Sequence, residues 1–103
     1  MRRTGPLAGL GLMLLFSLAA VPAPLSAPDL AQRLGCWACH SLHGQGGKEA
    51  APLDQIGSRL NPADVQGALI RPRNGHPGAK MPSYAYLRPW EMQALVNYLA
   101  NLK

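Results

Sequence analysis

The chain has 103 residues, which is enough for one domain, and a net charge of +5 at neutral pH. Its ten lysines and arginines are spread along the sequence and form no basic block, which excludes the class of nucleic-acid-binding proteins. Aromatic residues make up 6% of the chain and there are two cysteines, so neither a large aromatic core nor several disulfides can stabilise the fold.

The first predicted element is an export signal. Arg2 and Arg3 stand before an apolar run of 15 residues, 7–21, and small residues and prolines follow this run. The order is typical of a secretory signal peptide, and the run is shorter than the roughly 20 residues of a membrane-spanning helix. We expect cleavage after Ala27 or after Ala23, with a retained anchor in the cytoplasmic membrane as the alternative.

Residues 28–103 remain as a single domain, and export places this domain in the periplasm. The domain keeps eight basic and five acidic residues, a net charge of +3. Its 76 residues are few for a self-sufficient hydrophobic core, and domains of this size usually gain stability from disulfides, a metal or a cofactor. Cys36 and Cys39 are too close in sequence to close a large stabilising loop. We therefore expect a bound group.

The first helix of this domain is predicted over about residues 29–40. Pro28 and Asp29 suit the first turn of a helix, and apolar residues recur at helical spacing from Leu30 onward. This helix would carry the cysteines at its end. Residues 44–58 come next, are rich in glycine and lack periodicity, and are predicted to form a loop.

Two further helices are predicted. Asn61 is a suitable N-cap and Pro62 a suitable first residue for a helix that ends near Ile70, before Pro72. After a second loop with four prolines, the C-terminal segment carries an apolar stripe at helical spacing. The stripe consists of Met92, Leu95, Val96, Leu99 and Leu102.

No run alternates apolar and polar residues for long enough to predict a strand. The expected fold class is therefore all-α, with three to four short helices joined by long loops. Loops of this length are unusual in so small a domain unless they wrap around something.

The stretch from Cys36 to His40, CWACH, indicates what is bound. A thioredoxin-like redox pair needs a parallel sheet, for which no strands are predicted. A structural zinc site needs four ligands, and His40 directly after Cys39 does not fit the usual spacing. C-x-x-C-H is the pattern for covalent haem attachment, in which each sulfur adds to one vinyl group and the next histidine faces the iron. We predict one covalently attached haem c, bound by Cys36 and Cys39, with His40 as an iron ligand.

The other side of the iron either takes a ligand or stays open. Met92 lies on the apolar stripe and is assigned to the core, and His43 is too close to His40 to reach the opposite side. Met81 lies in a loop rich in glycine and proline, where a thioether is unusual unless something buries it. We predict Met81 as the sixth ligand, with His76 or an open position as alternatives.

With these features in this order, the chain resembles the small bacterial class I cytochromes c, which carry one haem. The likeness covers about residues 29–103 and depends on CWACH and on the stretch KMP around Met81, of which CWACH is the more specific. The resemblance implies a cytochrome c fold wrapped around one haem. The first helix departs from the family pattern, since the usual glycine and aromatic pair are not evident on it.

The resemblance also implies roles for individual residues. The thioethers and the axial ligands would come from Cys36, Cys39, His40 and Met81. Pro52 would supply the backbone carbonyl that accepts the other N–H of the ligand histidine, which fixes its tautomer. Arg59 and Trp90 are candidates for hydrogen bonding to a haem propionate, the alternatives being a surface arginine and a packing tryptophan.

With both axial positions filled by the chain, no substrate reaches the iron, and one-electron exchange is expected rather than catalysis. The expected function is a periplasmic electron carrier of a respiratory chain, and not an enzyme. Its donor would be a membrane quinol-oxidising complex or a dehydrogenase, and its acceptor an oxidase or a reductase. Arg71, Arg73 and Lys80 are candidates for steering an acidic partner toward the haem edge.

Two alternatives remain open. One is a haem c subunit permanently associated with a periplasmic dehydrogenase or reductase. The other is a haem ligand sensor in which Met81 is labile.

Overall fold

The computed structural model describes residue 5, residue 9, residues 11–15 and residues 24–103. The predicted export signal, residues 1–27, lies largely outside the described residues. None of the helices within the described ranges is long and apolar enough to cross a membrane.

The first helix, α1, covers Ala27–Arg33 and begins just before the expected start of the domain. The side chain of Ser26 caps it by accepting a hydrogen bond from the N–H of Asp29 at 3.3 Å. Leu25, one residue further upstream, packs against the hydrophobic core. The folded unit therefore includes residues that precede position 28.

The end of α1 comes earlier than the sequence predicts. Gly35 has a φ of 81°, in the left-handed region that favours glycine, and the helical path stops there. Cys36–Ala38 forms a separate turn of 3₁₀ helix. The predicted helix over residues 29–40 is therefore wrong in its second half, because the apolar spacing continues across a residue at which the backbone changes direction.

A small hairpin follows the 3₁₀ turn. Ser41–Leu42 (β1) pairs antiparallel with Gln45–Gly46 (β2). The two residues between them, His43 and Gly44, have φ values of 52° and 78°, which is the requirement of a type I′ turn. No strand was expected from the sequence, because two-residue strands are too short to show alternation.

Three helices occupy the middle of the domain: α2 at Ile56–Arg59, α3 at Pro62–Ile70 and α4 at Pro72–Gly75. Helix α3 confirms the prediction, and the side chain of Asn61 caps it by accepting the N–H of Asp64 at 2.8 Å. Helices α2 and α4 are single turns within segments predicted as loops. Their four residues are too few to leave a periodic pattern.

The last helix, α5, covers Pro89–Ala100 and packs against α1, α2 and α3. The predicted stripe is confirmed over four of its five members, which are buried, while Leu102 is partly buried just beyond the helix. Trp90, by contrast, is 48% exposed. Among the described residues, the buried hydrophobic core consists of Leu30, Ala31, Cys36, Leu53, Val65, Leu69, Tyr84, Met92, Leu95, Val96 and Leu99.

Candidate haem-binding site

The two cysteines lie on one tight turn between α1 and the hairpin. The N–H groups of Cys39 and His40 both donate to the Cys36 carbonyl, at 3.4 and 2.9 Å. Both thiols are free; Cys36 is buried and Cys39 is exposed. Burial raises the pKa of the Cys36 thiol, and a backbone hydrogen bond offsets part of this effect. The turn therefore offers two unpaired sulfurs, one of them shielded from water.

His40 is half-buried, and its ring is fixed by the backbone. Its Nδ1 lies 2.7 Å from the carbonyl oxygen of Ala51. A carbonyl can only accept a hydrogen bond, so Nδ1 carries the proton and Nε2 keeps a lone pair. The ring is thus held in the tautomer that suits a metal ligand.

The carbonyl that accepts from His40 is not the expected one. The sequence pointed to Pro52, whereas the acceptor in the structure belongs to Ala51, one residue earlier. Proline confines the residue before it to extended backbone, so Pro52 acts on the bond through the conformation of Ala51. A sequence motif marks where the proline stands, but not which neighbouring carbonyl turns inward.

The loop that supplies Ala51 is fastened to the cysteine turn by backbone hydrogen bonds. The N–H of Gly47 lies between the carbonyls of Trp37, at 2.9 Å, and His40, at 3.1 Å. The N–H of Ala50 donates to the Cys39 carbonyl at 2.9 Å. Gly47 is required at its position, because a Cβ there would run into the carbonyl of Ala38. Sequence reasoning missed this role, and the clustered glycines of residues 44–47 were its only visible signal.

Met81 lies on the loop that follows α3 and α4 in the sequence. We call residues 79–84 the Met81 segment. Met81 is partly buried and packs against the core, whereas Lys80 and Pro82 on either side are exposed. The carbonyl of Met81 accepts a hydrogen bond from the guanidinium of Arg73 at 3.3 Å. An apolar thioether between two exposed neighbours is therefore turned inward by its segment.

The other candidates lie elsewhere. His76 is exposed and follows α4, with its N–H donating to the Pro72 carbonyl at 3.3 Å. His43 is also exposed, and the carboxylate of Asp54 accepts its backbone N–H at 2.8 Å. Arg59 is exposed at the end of α2. Met92 is buried in the core, as the sequence predicted.

These residues fit a covalently attached haem. Two unpaired thiols on one turn stand directly before a histidine whose Nε2 is available, and a partly buried thioether is offered by a separate segment. Together with the small helical fold, this donor set defines a c-type haem protein. The cytochrome c family model matches residues 28–103, and the chain belongs to this family. The chain therefore binds haem c covalently and transfers electrons, and family membership favours haem over the zinc and thiol-pair interpretations of CWACH.

The fold is also found among solved structures. A chain in the crystal structure of SoxXA from P. pantotrophus is similar, with a TM-score of 0.61 and 21% sequence identity. The similarity covers 79% of this chain and 84% of that chain. At this identity the likeness concerns the fold alone, and it confirms the mostly helical cytochrome c fold predicted from the sequence. No curated protein matches the chain in sequence.

Proposed function

We propose that the chain is a periplasmic one-electron carrier whose haem is held by Cys36 and Cys39 and whose iron is bound by His40 and Met81. The observation that carries this proposal is the hydrogen bond from His40 Nδ1 to the Ala51 carbonyl. It orients an imidazole with an available Nε2 immediately after two free thiols. Hydrogen bonding of this kind also raises the basicity of a ligand histidine.

Each cysteine has a simple task in this proposal. On attachment its S–H would add across one vinyl group, so that sulfur would bond to one carbon and the proton would pass to the neighbouring carbon. Cys39 caps the 3₁₀ turn that begins at Cys36, and His40 comes next, so attachment through both sulfurs would bring the imidazole close to the haem. The bound haem supplies one-electron exchange between ferrous and ferric iron.

Met81 supports the carrier function in two ways. If a thioether fills the sixth position, the chain leaves no open site at the iron for a substrate. Methionine also favours the ferrous state more than a second histidine does, and so raises the reduction potential. The inward packing of Met81 on the core supports this choice over the exposed His76.

The partner surface in this proposal is basic. Arg71, Arg73 and Lys80 are exposed and lie close to Met81 in sequence. We propose that they steer acidic partners toward this side of the domain. The electron donor would be a quinol-oxidising complex or a dehydrogenase, and the acceptor an oxidase or a reductase. Such encounters are brief and weaken with salt. An unchanged association rate and salt dependence after neutralisation of all three residues would contradict the steering role.

The localisation follows from the N-terminal sequence. We propose that residues 1–27 direct export, as a cleaved signal or as an anchor, and that residues 28–103 work in the periplasm. Fractionation of cells that express the full chain, with an antibody to the C-terminal domain, tests this assignment. Recovery of the haem-containing protein from the cytoplasm would contradict it.

The test of the site is an absorption spectrum of the purified holoprotein in both redox states. We expect the α-band of c-type haem on reduction, and a weak long-wavelength sulfur-to-iron band in the oxidised protein. A c-type spectrum without the sulfur band would remove Met81 from the iron. Binding of carbon monoxide to the reduced protein at neutral pH would point to a ligand sensor.

A second candidate function is a haem c subunit that stays bound to a periplasmic dehydrogenase or reductase. Permanent association needs exposed apolar surface, and Tyr86 and Trp90 are 72% and 48% exposed. The fold likeness to a chain of SoxXA is consistent with this candidate. Co-purification from the native membrane and periplasmic fractions distinguishes the two, because a free carrier elutes as a monomer and a subunit elutes with its partner.

A further inference from the structure

The Met81 segment is fixed to the rest of the domain at three of its positions, 81, 83 and 84. Arg73 donates to the carbonyl of Met81. The hydroxyl of Ser83 donates to the Ile70 carbonyl at 2.6 Å, and the N–H of Tyr84 donates to the Leu69 carbonyl at 2.8 Å. The last two bonds attach the segment to the end of α3.

Tyr84 makes one more contact, which reaches a different part of the fold. Its hydroxyl donates to the carbonyl of Leu34 at 3.1 Å, across 50 positions of sequence. Leu34 is the C-cap of α1, where carbonyls have no partner within the helix. Tyr84 is only 5% exposed, so water competes little for this bond.

The position of Leu34 gives this contact its importance. Gly35 and Cys36 come directly after it, so the bond ends two residues before the first haem-attaching cysteine. Tyr84 itself lies three residues after Met81. One hydroxyl thus joins the segment of the proposed sixth ligand to the stretch that carries the thioethers and the fifth ligand.

The Tyr84 hydroxyl is also suited to donate over a wide pH range. Burial is the main cause that raises the pKa of Tyr84 above its ordinary value, and nearby Tyr86 adds to it. A phenol that keeps its proton remains a donor, and the Leu34 carbonyl can only accept. The direction of the bond is therefore fixed.

We propose that Tyr84 is a positioning residue for the sixth ligand: its hydroxyl fastens the Met81 segment to the end of α1 and so sets how readily Met81 leaves the iron. This inference rests on the proposed bond between Met81 and iron. Departure of Met81 requires the segment to move away from α1, and that movement breaks the bond to Leu34. Without the hydroxyl, the state in which Met81 has left the iron is more populated.

Imidazole added to the oxidised holoprotein measures this population, because it binds iron only after Met81 has left. Its apparent affinity rises in proportion to the fraction of the open state. Tyr84→Phe removes the hydroxyl and keeps the ring. We expect imidazole to bind this variant about two- to tenfold more tightly than the wild type, the range for one net hydrogen bond. The sulfur-to-iron band should disappear at correspondingly lower imidazole concentrations.

Tyr86→Phe is the matched control, since it makes the same change two residues away on a ring that is 72% exposed. It should bind imidazole like the wild type. Equal affinities for Tyr84→Phe and wild type would overturn the inference, and so would equal shifts in both variants. If Tyr84→Phe lowers the free energy of unfolding without changing imidazole affinity, Tyr84 has a structural role only.

The experiment also distinguishes two further outcomes. If the wild-type protein shows no sulfur-to-iron band, the Met81 ligation itself is wrong, and the role of Tyr84 falls with it before any variant is made. If Tyr84→Phe yields too little holoprotein, Tyr84→Leu also removes the hydroxyl while leaving an apolar side chain. The same increase in imidazole affinity is expected for it, and an unchanged affinity would again overturn the inference.

Discussion

The His40 side and the Met81 side of the site are built in different ways. On the His40 side, most of the contacts are made by the main chain. Gly47, Ala50 and Ala51 contact the cysteine turn through backbone groups, and all of these residues lie within a stretch of 16 residues. On the Met81 side, one backbone bond joins the N–H of Tyr84 to the Leu69 carbonyl, and the other contacts come from the side chains of Arg73, Ser83 and Tyr84. The first design is local and, apart from His40 and Gly47, uses backbone groups that every residue has. The second depends on individual side chains, and one of them, Tyr84, reaches a partner 50 positions away.

This difference indicates which side of the haem yields first. Backbone contacts made by neighbouring residues form as soon as the chain turns, at little cost in loop-closure entropy. The contact from Tyr84 to Leu34 closes a loop of 50 residues and depends on one hydroxyl. We therefore expect the His40 side to persist while the Met81 side opens, and the following variants test that order.

The largest effect is expected for His40→Ala, which removes the proposed fifth ligand and the hydrogen bond to Ala51. We expect almost complete loss of low-spin holoprotein, because the cysteine turn would present haem with no imidazole beside it. The yield of covalently bound haem and its spectrum measure this. His43→Ala, on an exposed turn three residues later, is the control and should give normal holoprotein. A normal spectrum for His40→Ala would move the fifth ligand elsewhere.

The next effect is expected for Met81→Ala. The sulfur-to-iron band should vanish, the reduction potential should fall and the reduced protein should bind carbon monoxide, while covalent haem and helical content are retained. Met92→Leu keeps the core volume and serves as the control, with an unchanged band. Loss of covalent haem in Met81→Ala would mean that the two sides are not independent.

A smaller effect of defined sign is expected for Gly47→Ala. The added Cβ meets the carbonyl of Ala38, so the loop carrying Ala51 must shift, and the holoprotein should lose about 1–3 kcal/mol of unfolding free energy. Gly67→Ala is the opposite case: nothing lies within 4 Å of its Cβ in α3. At that position the change to alanine should raise the free energy of unfolding by about 0.5–1 kcal/mol. Denaturant unfolding of both variants measures the contrast, and equal signs would contradict the backbone account of the His40 side.

The smallest effect is expected for Arg73→Gln. Its guanidinium is exposed and its bond to the Met81 carbonyl is long, at 3.3 Å, so little should be lost when it goes. We expect imidazole to bind at most about threefold more tightly, the lower part of the range for one hydrogen bond. Arg71→Gln removes the same charge nearby and is the control, which should leave imidazole affinity unchanged. Equal shifts in both would assign the effect to charge rather than to the hydrogen bond.

Local chemistry made much of the fold predictable. Asn61 and Pro62 mark the start of α3, and the stripe from Met92 to Leu99 marks the buried face of α5. Each of these patterns is contained within a short stretch of sequence. CWACH led to the family for the same reason, since the attachment chemistry requires all its residues side by side. These features survive in the sequence because each is a short-range relation.

The rest could not be predicted, for three physical reasons. Gly35 ends α1 through its backbone conformation, while the helical spacing of apolar residues continues unchanged across it. The acceptor for His40 is a backbone carbonyl, and every residue has one, so Ala51 carries no distinguishing side chain. Tyr84 has a distinctive side chain, but its partner lies 50 positions away and only the fold brings them together.

The cap of α1 bears on the proposed cleavage of the N-terminal segment. Leu25 and Ser26 belong structurally to the domain, although they stand within the segment predicted to be removed. A peptidase that cuts after Ala23 would release a domain with its first helix complete. A cut after Ala27 would discard the serine cap, whose loss typically costs about 1 kcal/mol. The choice between two peptide bonds four residues apart thus decides part of the stability of the mature protein.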